Sequence, residues 1–233
     1  MSIPHRILEY PERIDFGIIE KEEKSMFKRI DDKIYLESHG HRLSVYSQFG
    51  WGAIVLALWF LSFGVEDKGY LTLSILLILG GGFLVFYSLY AKKNYKIFEL
   101  NRLEGTVTYP DNFFRPPLKG KFKDLKAVIS ISGNIDGYVD TEYLKFVNTF
   151  KPRKIDLLYT FYGDEPRREW SFMVWYMDKN RPLPPGNTFD PYRQQDFERR
   201  KALGFPKPLY PSNVPTPEAT PEQQEERKRI GGW

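Results

Sequence analysis

Few residues in this chain sit at spacings that chemistry uses. His39 and His41 flank Gly40, and two imidazoles so placed could begin a metal site. No cysteine, third histidine or aspartate stands nearby to complete a ligand set, so the pair reads as turn histidines. Asp136 and Asp140 flank Gly137-Tyr138 and could bind calcium, but the full oxygen-bearing loop pattern is missing, and a plain turn is expected. No glycine run is a phosphate loop. Gly80-Gly81-Gly82 lies within an apolar segment and Gly231-Gly232 at the C-terminal end, and neither joins a strand to a helix. No His-Glu zinc helix and no Gly-x-Ser-x-Gly elbow occurs. The chain has no cysteine, which removes disulfides, thiolate metal sites and cysteine nucleophiles. The expectation is a protein that is not an enzyme, with no catalytic, cofactor-binding or metal-binding residue.

Charge adds little to this. The net charge is +4 over 233 residues, and basic residues alternate with acids, as in Glu20-Lys21-Glu22-Glu23-Lys24. Such a run is a solvated surface. No basic cluster accompanies a nucleic-acid motif, so no nucleic-acid partner is expected.

The elements that must position whatever the chain does are more legible. Mean hydropathy is −0.45, a soluble average that hides a segregation. Leu43 to Val65 carries no charge, and neither does Gly69 to Ala91. Each run matches the roughly 20 residues that cross a bilayer core. Only Glu66-Asp67-Lys68 separates them, so the two helices must be antiparallel neighbours. Met1 to Asp32 lacks the apolar core of a signal peptide, and the first apolar segment is expected to stay as an anchor. Arg42 precedes the hairpin and Lys92, Lys93 and Lys96 follow it. By the positive-inside bias both termini lie in the cytoplasm and the link outside. Trp51, Tyr70, Tyr87 and Tyr90 read as boundary aromatics. The Gly80–Gly82 run reads as a close helix–helix approach. Neither helix holds a charge at depth, which argues against a channel or transporter.

The residues outside the hairpin read as β. Lys33 to Glu37 and Arg42 to Tyr46 suggest a hairpin around Ser38-His39-Gly40-His41. Strands are expected at Tyr95–Leu100, Thr106–Tyr109, Phe122–Leu125 continuing into Ala127–Ser132, Tyr143–Phe150, Ile155–Tyr162 and Trp170–Met177. The last has large residues on both faces, with Phe172 and Tyr176 on one and Met173 and Trp175 on the other, so it reads as a strand covered on both sides. Short turns and no helical pattern between strands predict one antiparallel sheet. Beyond Asp178, prolines end the sheet. Short helices are expected from Asp190 to Leu203 and from Pro221 to Arg229 within an extended arm anchored by Phe205, Leu209, Tyr210 and Trp233. The fold class is a membrane α+β protein. Its parts are an arm with a short β-hairpin (1–46), a transmembrane helical hairpin (47–91), an antiparallel β-rich cytoplasmic domain for which a pleckstrin-homology-like form is a candidate (92–178), and a Pro-rich arm (179–233).

Three segments carry a resemblance. They are Phe98-Glu-Leu-Asn-Arg-Leu-Glu-Gly-Thr-Val-Thr-Tyr109, Trp170-Ser-Phe-Met-Val-Trp-Tyr-Met-Asp178, and the tail motifs Phe189-Asp-Pro-Tyr-Arg and Phe205-Pro-Lys-Pro-Leu-Tyr210. An Asn-Arg turn in a β-hairpin after two membrane helices resembles the uncharacterised membrane proteins encoded beside type VI secretion effectors in Gram-negative bacteria, a group taken to include immunity proteins. The resemblance runs from about Trp51 to the C-terminus and brings no functional residues with it. It implies an inner-membrane immunity protein whose partners are a cognate secreted toxin and the lipid bilayer, with no cofactor. An aromatic content of 16% fits a binding surface, since aromatics favour hot spots. The competing expectation is a membrane-anchored structural or assembly protein that docks a partner or lipid headgroups through its β-domain.

Overall fold

A computed structural model of the chain describes residues 5–7, 27–38, 40–64, 66–94, 97–109, 117–133, 140–147, 160–161, 166–212 and 214–233. The chain forms two compact units. One comprises Met1–Glu37, Glu99–Tyr109 and Leu118–Trp233, here the lobe, and the other Ser38–Phe98 with Pro110–Pro117, here the hairpin.

The hairpin consists of α1 (Gly40–Leu61) and α2 (Lys68–Asn94). Both contain windows long and apolar enough to cross a membrane, Ser44–Leu61 and Lys68–Tyr90. Contacts step down one helix as they step up the other. Tyr46 meets Tyr87 edge-on, a Cβ on Gly50 would meet Gly81, the Ser74 hydroxyl donates to Ala57 O at 3.2 Å, and Phe60 stacks on Tyr70. The helices are therefore antiparallel. Asp67 caps α2 by accepting from the Gly69 N–H at 2.7 Å. Of the three consecutive glycines only Gly81 makes the expected close approach. A Cβ there would lie 2.6 Å from Gly50 O, whereas Gly80 and Gly82 face open space.

Three readings of the hairpin change. Arg42–Tyr46 is not a strand but the second turn of α1. No glycine or proline interrupts 41–49, so the β-forming Val45 and Tyr46 are carried into the ladder of a helix whose neighbours are all helical. The spans accordingly run 40–61 and 68–94 rather than 47–91. Trp51 lies in the middle of the first apolar window, not at its boundary.

The lobe begins before the hairpin. Strands β1 (His5–Ile7), β2 (Phe27–Ile30) and β3 (Ile34–Ser38) precede α1. After α2 come β4 (Ile97–Asn101), β5 (Thr106–Tyr109) and β6 (Leu118–Lys121). A 3-10 turn at Phe122–Asp124 then leads to β7 (Lys126–Gly133), β8 (Asp140–Val147) and β9 (Thr160–Phe161). Among the described residues there are two antiparallel sheets rather than one, ordered β2-β3-β4-β5-β6 and β1-β7-β8-β9. The residues before the hairpin are thus not a separate arm: β3 and β4, which bracket the two helices, are neighbours in one sheet. The Arg102 N–H, just past β4, donates to Lys33 O at 2.8 Å. Phe122–Leu125 is a 3-10 turn and the cap that follows it, not a strand, with Phe122 and Leu125 turned inward. Asp140 starts β8, opposite Gly133, instead of lying in a turn. Most of the expected Ile155–Tyr162 strand, the His39 reading and the Asp136 reading lie outside the described residues.

The largest correction is Trp170–Met177. It is a helix, α3 (Pro166–Met177). Pro166 suits a first helical position, and Trp170, Met173, Val174 and Met177 recur at helical spacing. All eight residues from Trp170 to Met177 are buried except Phe172, which is half-buried. A helix buried on nearly every side is apolar nearly all round, and such a run also alternates large residues, which mimics a strand. Tyr35 of β3 packs on Phe172 and Tyr176, and Phe122 stacks on Trp170. Two further helices, α4 (Asp190–Ala202) and α5 (Pro221–Gly231), flank the proline segments.

Candidate functional site

The lobe's most concentrated chemistry is a buried network of arginines and carboxylates. It starts in the β4–β5 turn. Gly105 supplies the positive φ of +68°, and Asn101 accepts from the Glu104 N–H through its side chain at 3.0 Å. This turn projects Arg102 inward, where its residue exposure is 0%. Its Nε donates to Tyr176 O at 2.8 Å, and one terminal nitrogen donates to Arg181 O at 2.6 Å and to Asp178 O at 3.4 Å. The other meets Asp196 Oδ1.

Asp196 is on α4 and 1% exposed. Oδ1 also accepts from Arg199 at 2.8 Å, and Oδ2 accepts from Arg200 Nε at 2.8 Å. Arg200 then grips Glu218 with two parallel bonds of 2.7 Å each, the fork geometry guanidinium is suited to. Its guanidinium carbon lies 5.9 and 5.8 Å from the ring centroids of Phe197 and Phe205. Glu218 accepts a third bond from Arg227 at 3.1 Å, and Arg227 sits 4.3 Å from the Trp233 ring centroid. Trp233 Nε1 donates to Phe205 O at 2.9 Å, which returns the chain to the end of α4.

A second branch fixes the proline segments. Asp178 is fully buried. Its Oδ2 accepts from Arg181 Nε at 3.1 Å and from the N–H groups of Leu209 at 2.9 Å and Tyr210 at 3.2 Å. Arg181 donates to Tyr210 O and to the Thr216 hydroxyl, and Asn180 donates to Lys207 O at 2.6 Å. Proline-rich chain has few N–H groups and no ladder of its own. Side chains of the 178–200 region therefore supply the donors that its carbonyls need. The arm starts at Gly204 and Phe205, both at positive φ, where the Phe205 N–H closes on Arg200 O.

Electrostatics explain why the network holds charge in the interior. Burial alone would raise the Asp196 carboxyl, but the attraction of Arg102 and Arg200 prevails and holds it below the usual carboxylate range. Burial pulls Arg102 down, opposed by Asp196, and a guanidinium stays protonated through such a shift. Burial, with the Asp178 charge, pushes the Tyr210 phenol up to about 12. Asp196 accepts from three arginines and Glu218 from two, so both carboxylates are occupied by guanidinium donors. A small cavity lined by Trp175, Arg181, Val214 and Thr216, among others, leaves about 10 Å³ to the centre of a water-sized sphere. That is room for roughly one water and not for a substrate. The network ties the β4–β5 turn, α4 and the proline segments together.

Two of the residues weighed earlier for metal binding fall in described elements. His41 lies in the first turn of α1 and Asp140 begins β8. Among the described residues no three His, Cys, Asp or Glu side chains gather as a metal site would need. Sequence reading missed the network because its key pairs are remote: Arg102 from Asp196, Arg200 from Glu218. One signal was present. Asp196, Arg199 and Arg200 stand at i, i+3 and i+4 on a legible helix. Three segments singled out in the sequence, 98–109, 170–178 and the tail motifs, contribute to the network and its surroundings. Arg102 comes from the first, Tyr176 and Asp178 from the second, and Arg193, Phe205 and Leu209–Tyr210 from the tail, where Arg193 donates to Leu183 O, Pro184 O and Gly186 O. Comparison of the chain with protein-family models, with curated proteins and with solved structures gives no match.

Proposed function

We propose that this chain is an inner-membrane immunity protein that neutralises a type VI secretion effector by binding it. The observation that carries the reading is the convergence of the resembling segments on the arginine–carboxylate network. Those segments supply residues that lock the C-terminal arm to the β-lobe, which is what would give a binding protein a fixed surface. A binding protein needs a fixed surface and a location, and it needs no reacting group. The network supplies the first and the hairpin the second. Trp51, Leu76, Leu79 and Leu89 are each 58–66% exposed, as side chains facing acyl chains would be. Holding the binding surface at the bilayer raises its effective concentration toward a membrane-acting toxin.

Arg42 before the hairpin and Lys92, Lys93 and Lys96 after it favour a cytoplasmic side for both of its ends. A reporter fused after Trp233 is expected to behave as cytoplasmic and one inserted at Asp67 as periplasmic; the reverse pattern would refute the orientation. Function is tested by deleting the gene while keeping its neighbouring effector gene, with sibling competition as readout. Sensitive cells and co-purification of the effector support immunity. A deletion strain that competes like its parent, with no effector co-purifying, replaces it with the assembly-protein reading.

A further inference from the structure

The stretch Leu118-Lys-Gly-Lys-Phe-Lys-Asp-Leu-Lys126 sorts its residues by type. Leu118, Phe122 and Leu125 are 6%, 2% and 6% exposed. Lys119, Lys121, Lys123 and Lys126 all point to solvent. Lys119 approaches Glu104 at 3.7 Å, an exposed pair with little hold on either partner. Lys121, Lys123 and Lys126 make no ion pair among the described residues. Asp124 is the one acid within the stretch.

Edge protection accounts for part of this. β6 is an edge strand of its sheet, and lysines on an edge discourage pairing with another chain. That reason covers Lys119 and Lys121 only. Lys123 lies in the 3-10 turn, and Lys126 opens β7 of the other sheet, opposite Val147 of β8 and two residues outside the β1 register. The lysine pattern outlasts the edge it would guard and forms a strip from one sheet to the next. All four cations are lysines, mobile ammonium groups suited to a diffuse anionic surface; forked recognition of single carboxylates favours arginine.

We propose that this strip binds the anionic lipid headgroups of the bilayer that the hairpin crosses. The proposal rests on the hairpin being membrane-embedded and is independent of immunity. The tether works in its favour. β4 begins at Ile97, a few residues after α2 ends at Asn94, so the lobe cannot diffuse away from a membrane that holds α2. Juxtamembrane basic clusters gain on the order of fivefold in bound-to-free ratio for each lysine that reaches an anionic surface.

The chain's lack of cysteine gives a clean test. Thr108 pairs with Lys119 across β5 and β6, so a nitroxide on Thr108→Cys reports beside the strip. The labelled full chain is reconstituted into phosphatidylcholine vesicles with and without phosphatidylglycerol. An immobile spectral component is expected only with phosphatidylglycerol. It should weaken in high salt and fall on the order of tenfold or more in K119S/K121S, which removes two of the four charges. A label equally mobile in both vesicles overturns the assignment, provided the chain floats with the vesicles at high salt. A chain that does not float refutes the membrane reading itself. A label indifferent to lipid charge but immobilised by added effector would give the strip to a protein partner and also overturn the proposal.

Discussion

The two units bury opposite kinds of residue. In the hairpin the large apolar side chains face outward, with Phe49 70% and Trp51 58% exposed, while small Ala57 and Ser74 are fully enclosed. In the lobe Arg102 and Arg200 are among the largest fully buried side chains. Apolar character therefore does not predict burial in this chain; the intended surroundings do. The hairpin relies on close backbone approach at Gly50 and Gly81, and its outward apolar side chains suit surroundings of low polarity. The lobe relies on paired charges that must stay paired, since separating a buried pair leaves an uncompensated ion.

The comparison can be broken most severely at the lobe's discontinuity. A chain beginning at Asn94 lacks β1, β2 and β3, together with Tyr35 and the Asp31 carbonyl that accepts from Tyr176 at 2.9 Å. It is expected to lose cooperative unfolding in urea altogether. A variant with a Gly-Ser linker in place of residues 40–94 keeps every described strand and is expected to unfold cooperatively, as a soluble lobe. Asp196→Ala comes next. It strands Arg102, takes from Arg200 one of its two carboxylate partners, and is expected to cost about 3–5 kcal/mol in urea denaturation of that lobe. The paired replacement Arg102→Met with Asp196→Leu is expected to cost less than the single change. Phe172→Ala, at a half-buried position against Tyr35, Tyr176 and Phe189, is expected to cost about 3 kcal/mol.

Acid separates the units without mutation. Because the folded Asp196 carboxyl titrates below its ordinary value of 3.8, its stabilisation is complete above that value. It is lost as pH falls through the lower folded one. Asp31 adds to the same limb. Burial alone would raise it, and the N–H groups of Ile34 and Lys33 with Arg29 overcome that. The lobe's unfolding free energy is expected to drop below about pH 4, and helicity of the hairpin in detergent is expected to stay flat. The smallest effect belongs to the hairpin. Gly81→Leu would drive a side chain into Gly50 O and Ile54, at about 1–3 kcal/mol, detected as loss of helix–helix energy transfer with the lobe's urea midpoint unchanged.

What was legible in the sequence follows the same division. The apolar runs, the Asn101–Gly105 turn and the helices after Asp190 and Pro221 carry local signals: missing charge, a turn glycine, a proline at the first helical position. Trp170–Met177 was misread because burial on all sides erases the polar face that separates a helix from a strand. The network was out of reach for another reason. Arg102 and Asp196 lie 94 residues apart, and no local period encodes a partner at that distance.

The adjacency of β3 and β4 also sets an order of events during synthesis. β3 is made first, and its neighbour emerges only after both long helices have left the ribosome. Until then β3 offers an unfilled edge. If the helices fold against each other promptly, they bring the two strands together as the jaws of a clothes-peg close. If they do not, the nascent chain presents an open strand beside two unshielded apolar helices. The hairpin then bears on how long that edge stays open during synthesis, while the finished lobe is held by its own sheets and network.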